Sequence, residues 1–158
     1  MDLKNKRKKA KPYAVDQNHQ STVEETISFY HTLYDNPVSL LSVAKSGLQA
    51  KAALDFISVS GFTYDQFQET FKTTVKTIQN YAGQDLKLDA ALSEKLLKSF
   101  SLFEQGIEVF GSVKAFHDWL NMPSIGLGDR VPFEIMDTIT GITLIEEELL
   151  RIAYGALA

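Results

Sequence analysis

AALSEKLLKSFSLFEQGIEVF, residues 90–110, decides the fold. Within it Leu96, Phe100, Phe103, Ile107 and Phe110 recur at intervals of four, three, four and three. That spacing keeps five large apolar side chains on one stripe of an α-helix. Gly111 then offers a stop, and Ser112 a cap for a following helix over 113–120 with Phe116, Trp119 and Leu120 turned inward. A helix of this length with one apolar stripe needs other helices to cover it.

The rest of the chain supplies them. Toward the C-terminus, Asn121-Met122-Pro123 closes that helix and 123–131 reads as an irregular loop. Pro132 opens a short helix through Met136, and a final helix spans about 138–154 with Ile142, Ile145, Leu149 and Ile152 on one stripe. Toward the N-terminus, Gln84–Asp89 reads as a polar linker between two halves. Before it come a helix over about 75–82, a turn at 72–74, and a helix over 64–71 opened by the Thr63/Gln66 capping box. A helix over about 49–60, burying Ala53, Leu54 and Ile57, stops at Gly61. Asn36-Pro37 caps and starts a short helix to about Lys45. Ser21 with Glu24 forms a further capping box, opening a helix to Tyr34 whose Val23, Ile27, Tyr30 and Tyr34 share a face. Pro12, Pro37, Pro123 and Pro132 all sit at boundaries, and neither an Asn-Gly or Asp-Gly hairpin turn nor a strictly alternating run occurs. The expected fold is all-α, with an N-terminal helix-turn-helix-like unit over 21–89 and a C-terminal helical unit over 90–158.

Composition narrows the function. With 158 residues, 44% of them hydrophobic, the chain is long enough to build a packed core. It contains no cysteine, which excludes disulfides and thiolate metal sites and fits a reducing cytoplasm. No apolar run reaches the length of a membrane span, and no apolar segment follows the basic start as in a secretory signal. The net charge of −4 hides an asymmetry. Residues 1–12 carry six basic side chains against one acidic, a balance of +5, whereas the other 146 carry 10 basic and 19 acidic, a balance of −9. Residues 1–20 read as a disordered basic arm, either a solvated tail or a segment that follows phosphates.

Residues 49–82 have the proportions of a helix-turn-helix, whose last helix presents its first turns to base edges in the major groove. In TVKTIQNY, 74–81, Val75, Ile78 and Tyr81 face inward, leaving Thr74, Lys76, Thr77, Gln79 and Asn80 outward. Gln and Asn pair bidentately with adenine, and Lys with guanine or phosphate. Three short helices with polar faces also occur in proteins that touch no nucleic acid, so both readings stay open at this point.

At the other end, GIEVFG (106–111), FHDWL (116–120), MPSIGLGDRVP (122–132), MDT (136–138), Gly141 and RIAYGALA (151–158) follow one another in order. This combination resembles the C-terminal toxin-binding domain of the MbcA/ParS/Xre antitoxins. The stretch 74–80 is similar to the recognition helix of the same family, which often reads Ser-x-Arg-Thr, an apolar residue, Gln and Arg. Here Lys76 and Asn80 replace both arginines, removing bidentate capacity and, at Asn80, a charge. The family usually has Pro-Asn, Leu-Gly-Gly and Arg-Ile-Glu-x-Gly where this chain has Pro123-Ser124, Leu127-Gly128-Asp129 and Arg151-Ile152-Ala153-Tyr154-Gly155.

The resemblance implies an antitoxin that sterically silences a RES-domain, NAD-degrading toxin. It also implies a homodimer that represses its own operon by binding operator DNA. Toxin contacts are then expected at Leu127, Gly128, Asp129 and Arg130 in the loop and at Arg151, Tyr154 and Gly155 near the end. The closing Ala156, Leu157 and Ala158 are apolar or small and suit insertion into a partner's groove, or folding back on the chain's own core. The rival readings are a stand-alone helix-turn-helix regulator and a helical interaction module that has lost DNA binding.

Nothing in the chain reads as catalytic. His19, His31 and His117 lack metal-ligand spacing, and His117 reads as a surface residue. Glu146-Glu147-Glu148 reads as a solvated helix face. Gly126-Leu127-Gly128 lacks the preceding strand and following Lys-Ser/Thr of a phosphate loop, and no Gly-x-Ser-x-Gly elbow occurs. Neither an enzymatic activity, a cofactor nor a metal is expected.

Overall fold

The computed structural model describes the backbone of residues 17–155 and the side chains of 21–155. Among the described residues nine α-helices follow one another: α1 (Gln17–Tyr34), α2 (Pro37–Ser46), α3 (Lys51–Ser60), α4 (Tyr64–Phe71), α5 (Val75–Gly83), α6 (Ala90–Phe110), α7 (Val113–Leu120), α8 (Pro132–Ile135) and α9 (Ile139–Ala153). A 3-10 turn, Ile125–Leu127, lies between α7 and α8. Extended pairing among these residues is limited to two isolated bridges, Gln49 to Lys87 and Ser124 to Arg130. The chain is all-α, with a helix-turn-helix-like part followed by a C-terminal helical part. No described helix is long and apolar enough to cross a membrane.

The spine is α6. Asp89 caps it, its Oδ1 accepting from the Leu92 N–H at 2.7 Å, and Gly111 ends it in the left-handed region at φ 87°. Leu96, Leu97, Phe100, Leu102 and Phe103 are all fully buried, so the helix is apolar on more than the single predicted stripe. The wider burial follows from its position. Helices α1, α2 and α3 pack on it from one part of the chain, and α7 and α9 from the other. Gly106 permits the closest approach, since the Phe116 ring of α7 occupies the space a Cβ would need.

One aromatic cluster joins the two parts. Phe56 of α3 is fully buried and meets Phe62, Phe71, Phe100 and Phe103 edge-on at centroid distances of 5.3–5.5 Å. Here the expected register of α3 is corrected. Ala53 is buried as expected, but Leu54 and Ile57 are half-buried, and Ala52, Phe56 and Val59 take the core face. Burying one Phe is worth about 1.5–3 kcal/mol, and its ring orients the helix toward the other aromatics.

Two further boundaries differ from the sequence reading. Helix α1 begins at Gln17, so Ser21 and Glu24 lie inside it rather than capping it, and residues 17–20 belong to a helix instead of an arm. The face of Val23, Ile27, Tyr30 and Tyr34 is buried as expected. Residues 1–16, with the basic stretch 1–12, lie outside the described residues. The polar stretch 84–89 is tied down: Leu86 O accepts from the Ala50 N–H at 3.0 Å, and the Leu88 N–H donates to Leu48 O at 2.7 Å.

Candidate functional site

Two faces carry the residues singled out in the sequence. The first is built by α3, α4 and α5. Thr63 and Gln66 close the expected capping box on α4, at 3.1 and 3.0 Å. Lys72 adopts φ 56°, which turns the chain sharply into α5. Thr74 then caps α5: its Oγ1 accepts from the Thr77 N–H at 3.1 Å and lies 3.0 Å from Thr77 Oγ1. Thr74 is exposed, but its hydroxyl is committed to starting the helix. Val75 and Ile78 are buried, and Lys76, Thr77, Gln79 and Asn80 are exposed on the opposite side. Tyr81, expected inside, is 41% exposed, because the spacing 75, 78, 82 turns Ala82 toward the core instead. The outward face of α5 is thus wider than expected and gains an aromatic.

Two lysines, Lys72 and Lys95, lie beside α5, with Asp89 in the same groove. Lys95 of α6 donates to Thr70 O at 3.2 Å, and Lys72 pairs with Asp137 at 3.5 Å. Burial holds the Lys95 amine below the ordinary lysine value, with Asp137 opposing that shift and Lys72 adding to it. Lys72, Thr73, Thr77, Tyr81 and Lys95 line one groove beside the helix.

The second face is the loop after α7 together with α9. The bridge between Ser124 and Arg130 closes the loop, with the Ser124 N–H donating to Arg130 O at 3.0 Å and the Asp129 N–H to Ser124 O at 2.9 Å. Gly128 and Asp129 both have positive φ, 67° and 62°, and both are exposed. Leu127 is placed inside: it is buried in the common core and anchors the loop. The outward apolar residue is its neighbour Ile125, 87% exposed, which the sequence pattern did not single out. Arg130 is exposed, its Nη1 donating to Leu127 O at 3.2 Å.

On α9, Thr138 caps the start, accepting from the Gly141 N–H at 2.9 Å, and Ile142, Ile145 and Leu149 are fully buried. Glu148 corrects the expectation of a solvated acidic face. It is buried, and its Oε2 accepts from both Nε and Nη2 of Arg151, each at 2.7 Å. Its carboxylate lies where a Cβ on Gly126 would be. Glu146 is half-buried, and burial pushes its carboxyl up, against Lys98 and with a smaller push from Glu147. Tyr154 is 84% exposed and Gly155 has φ 64°. Ala156, Leu157 and Ala158 lie outside the described residues.

Between loop and helix runs an open cleft of about 500 Å³, walled by Leu127 and Arg130 on the loop side and by Leu144, Glu147 and Arg151 on the α9 side. Trp119 is half-buried against Phe110 and Phe116, at centroid distances of 5.4 and 6.0 Å. His117 is also half-buried, its Nε2 3.4 Å from Gln66 Oε1, so it belongs to the contact between α7 and α4 rather than to the surface. No group of three His, Cys, Asp or Glu side chains among the described residues is placed to hold a metal ion.

Comparison with known proteins matches each face to a family model. Residues 39–100 match the antitoxin Xre-like helix-turn-helix domain, and residues 105–155 match the antitoxin Xre/MbcA/ParS C-terminal toxin-binding domain. The chain is 26% identical over 139 residues to a protein of a Sphingobium species named Prs ADP-ribosylating antitoxin, covering 82% of this chain and 87% of that relative. It is 28% identical over 81 residues to the antitoxin Xre of Pseudomonas putida, covering 51% of each. The first match ends at residue 100 and the second begins at 105, both inside α6, which runs unbroken from one to the other.

Proposed function

The chain belongs to the Xre/MbcA/ParS antitoxin family, with a helix-turn-helix domain and a toxin-binding domain, and on that premise we propose that it neutralises a RES-domain toxin that degrades NAD. The loop around Gly128, Asp129 and Arg130 and the end of α9 cover the toxin's substrate cleft. The observation that carries this reading is the exposure, on the segment matched to the toxin-binding domain, of Ile125, Arg130, Arg151 and Tyr154, with Arg130 and Arg151 lining one cleft. Arg and Tyr are enriched among the few interface residues that carry most of the binding energy. A rigid helix end loses little freedom on docking, so most of its contact energy is kept. The name of the Sphingobium relative fits a partner that uses NAD, because ADP-ribosylation takes its ADP-ribose from NAD.

The same protein represses its own operon as a homodimer. Lys76, Thr77, Gln79 and Asn80 stand outward on α5 as a recognition helix requires, with Thr74 holding its start. Dimerisation through the N-terminal half would place two such helices on a two-fold operator.

Co-expression with a RES-domain toxin encoded in the same operon tests the reading. The full chain restores growth and the cellular NAD level. A chain truncated after Ala153 keeps its helix content by circular dichroism and no longer restores either. Full protection by the folded, truncated chain moves the inhibitory surface to the 123–131 loop, and failure of the full chain to lift NAD loss refutes the proposed toxin class.

A further inference from the structure

We infer that Glu148 is a positioning residue for partner binding: clasped between Gly126 and Arg151, it latches the 124–130 loop to the last turns of α9 and holds the Arg151 guanidinium over the cleft to meet an acidic side chain of the partner. The occupant of the cleft rests on the toxin-binding reading above; the latch itself does not.

Position 148 is an unusual place for a carboxylate. The side chain is 4% exposed, on the stripe shared by Ile145 and Leu149, which are fully buried. A carboxylate taken out of water is costly unless it is paired and hydrogen-bonded. Here Nε and Nη2 of Arg151 converge on one oxygen, Oε2. That geometry fixes the guanidinium plane, which a single end-on contact would not. The other side of the carboxylate lies flat on Gly126, and any side chain there would displace it. Gly126 belongs to the 3-10 turn that exposes Ile125 and buries Leu127. The turn and the helix end are therefore fixed to each other through one buried charge.

The latch has a consequence for the cleft. Arg151 is 44% exposed and lines it from the α9 side, while Arg130, held on Leu127 O, lines it from the loop side. The apolar part of the lining between them is Leu127, Ile135 and Leu144. Glu147 is the acid on the same wall and Glu148 pairs with Arg151 from beneath, so the two guanidiniums are balanced by two carboxylates, one of them buried under the cleft rather than lining it. Two guanidiniums beside an apolar lining match a carboxylate on an aliphatic stem, the Asp or Glu of a partner.

Four variants separate positioning from stability: E148Q, R151Q, their combination and G126A. E148Q keeps the volume but removes the charge that holds Arg151. R151Q leaves Glu148 buried and unpaired, and the double variant E148Q/R151Q removes both charges and restores neutrality. In the isolated chain, the Arg151 Nε–H, observed by ¹⁵N NMR, exchanges slowly in the wild type and fast in E148Q and in G126A. Against the RES-domain toxin of the co-expression assay, E148Q and R151Q each weaken binding about tenfold or more, and the double variant is no weaker than R151Q. Rising salt weakens the wild type more steeply than R151Q. Should E148Q not fold, the folded double variant and G126A provide the same comparison. Unchanged exchange at Arg151 in E148Q and G126A overturns the latch. Wild-type affinity of folded E148Q, or losses that multiply in the double variant, overturns its role in binding. A wild-type chain that binds no RES-domain toxin refutes the toxin reading, and the latch is then decided by the exchange measurement alone.

Discussion

Replacing Phe56 by Ala tests whether the two binding faces stand on one cooperative body. Phe56 is fully buried among other aromatics: Phe62 and Phe71 approach it at 5.5 and 5.4 Å, Phe100 and Phe103 both at 5.3 Å. Two of those neighbours belong to the helix-turn-helix side and two to α6. Truncating a buried Phe to Ala costs about 3–5 kcal/mol, and the absence of a nearby exposed edge puts this site toward the upper end, since little can collapse into the void. A domain of this kind has roughly 5–15 kcal/mol in all. With a urea dependence of about 2 kcal/mol per molar, the midpoint should fall by about 2 M. The chain carries one Trp, Trp119 on α7, which reports the C-terminal side, whereas far-ultraviolet circular dichroism reports every helix. In Phe56→Ala both signals should shift by the same free energy, although the substitution lies in α3. If the Trp119 transition stays at its wild-type midpoint while part of the dichroism is lost early, the halves unfold separately and the continuous core is not a cooperative unit.

Three further outcomes are expected. Gln79→Ala with Asn80→Ala should weaken operator binding by roughly 1–3 kcal/mol for each lost base pairing and leave toxin neutralisation intact; unchanged operator affinity in a gel shift would mean that these side chains do not read bases. Deleting residues 1–12 should flatten the salt dependence of operator binding, because fewer counterions are displaced, and an identical slope would sink a phosphate-tracking role for the arm. His31 should add stability at low pH. Its imidazole is raised above the ordinary value of 6.5, first by the hydrogen bond to Glu104 and then by that residue's charge, with burial opposing and Asp35 assisting. The contribution is therefore fully present below pH 6.5 and is lost as pH rises through the raised value. His31→Gln, compared with the wild type by thermal melts across pH 5–8, should remove that dependence, and identical melting profiles would refute it.

Local chemistry made α4 and α5 readable from sequence. Thr63, Gln66 and Thr74 act on backbone groups within three residues, so their caps form wherever the chain goes. The stripe of α6 was equally plain, being periodic over 21 residues. The misses depend on residues distant in the chain. Whether Phe56 or Ile57 turns inward on α3 is settled by Phe100 and Phe103, more than forty positions away. Ile125 and Leu127 are interchangeable in a pattern of apolar residues, and only the closure of the loop on α9 decides that Leu127 goes in. The burial of Glu148 had a signal: it sits three residues after Ile145 and four before Ile152, on the apolar stripe. Its charge argued against the spacing, and what reconciles the two, Gly126 beneath it and Arg151 beside it, is visible only in three dimensions.

The continuity of α6 bears on how one small chain could serve both DNA and a protein partner. Its first half sends Lys95 to Thr70 O, at the end of α4 and beside the groove along α5. Its second half carries Gly106, against which Phe116 and the rest of α7 pack before the chain enters the 124–130 loop. A second tie runs from Lys72, at the turn into α5, to Asp137, which stands between α8 and α9 next to the wall of the cleft. Exposed ion pairs of this kind are worth little in stability, about 0–1 kcal/mol. Their geometry still matters, because the turn that aims α5 and the residues that open α9 share a contact. Removing it by Lys72→Ala should leave the melting temperature nearly unchanged. If the two faces communicate through this contact, the substitution should also reduce any effect of bound toxin on operator affinity. Equal toxin effects on operator affinity in Lys72→Ala and wild type would show that the ion pair transmits nothing, leaving α6 and the shared aromatic core as the connection between the faces.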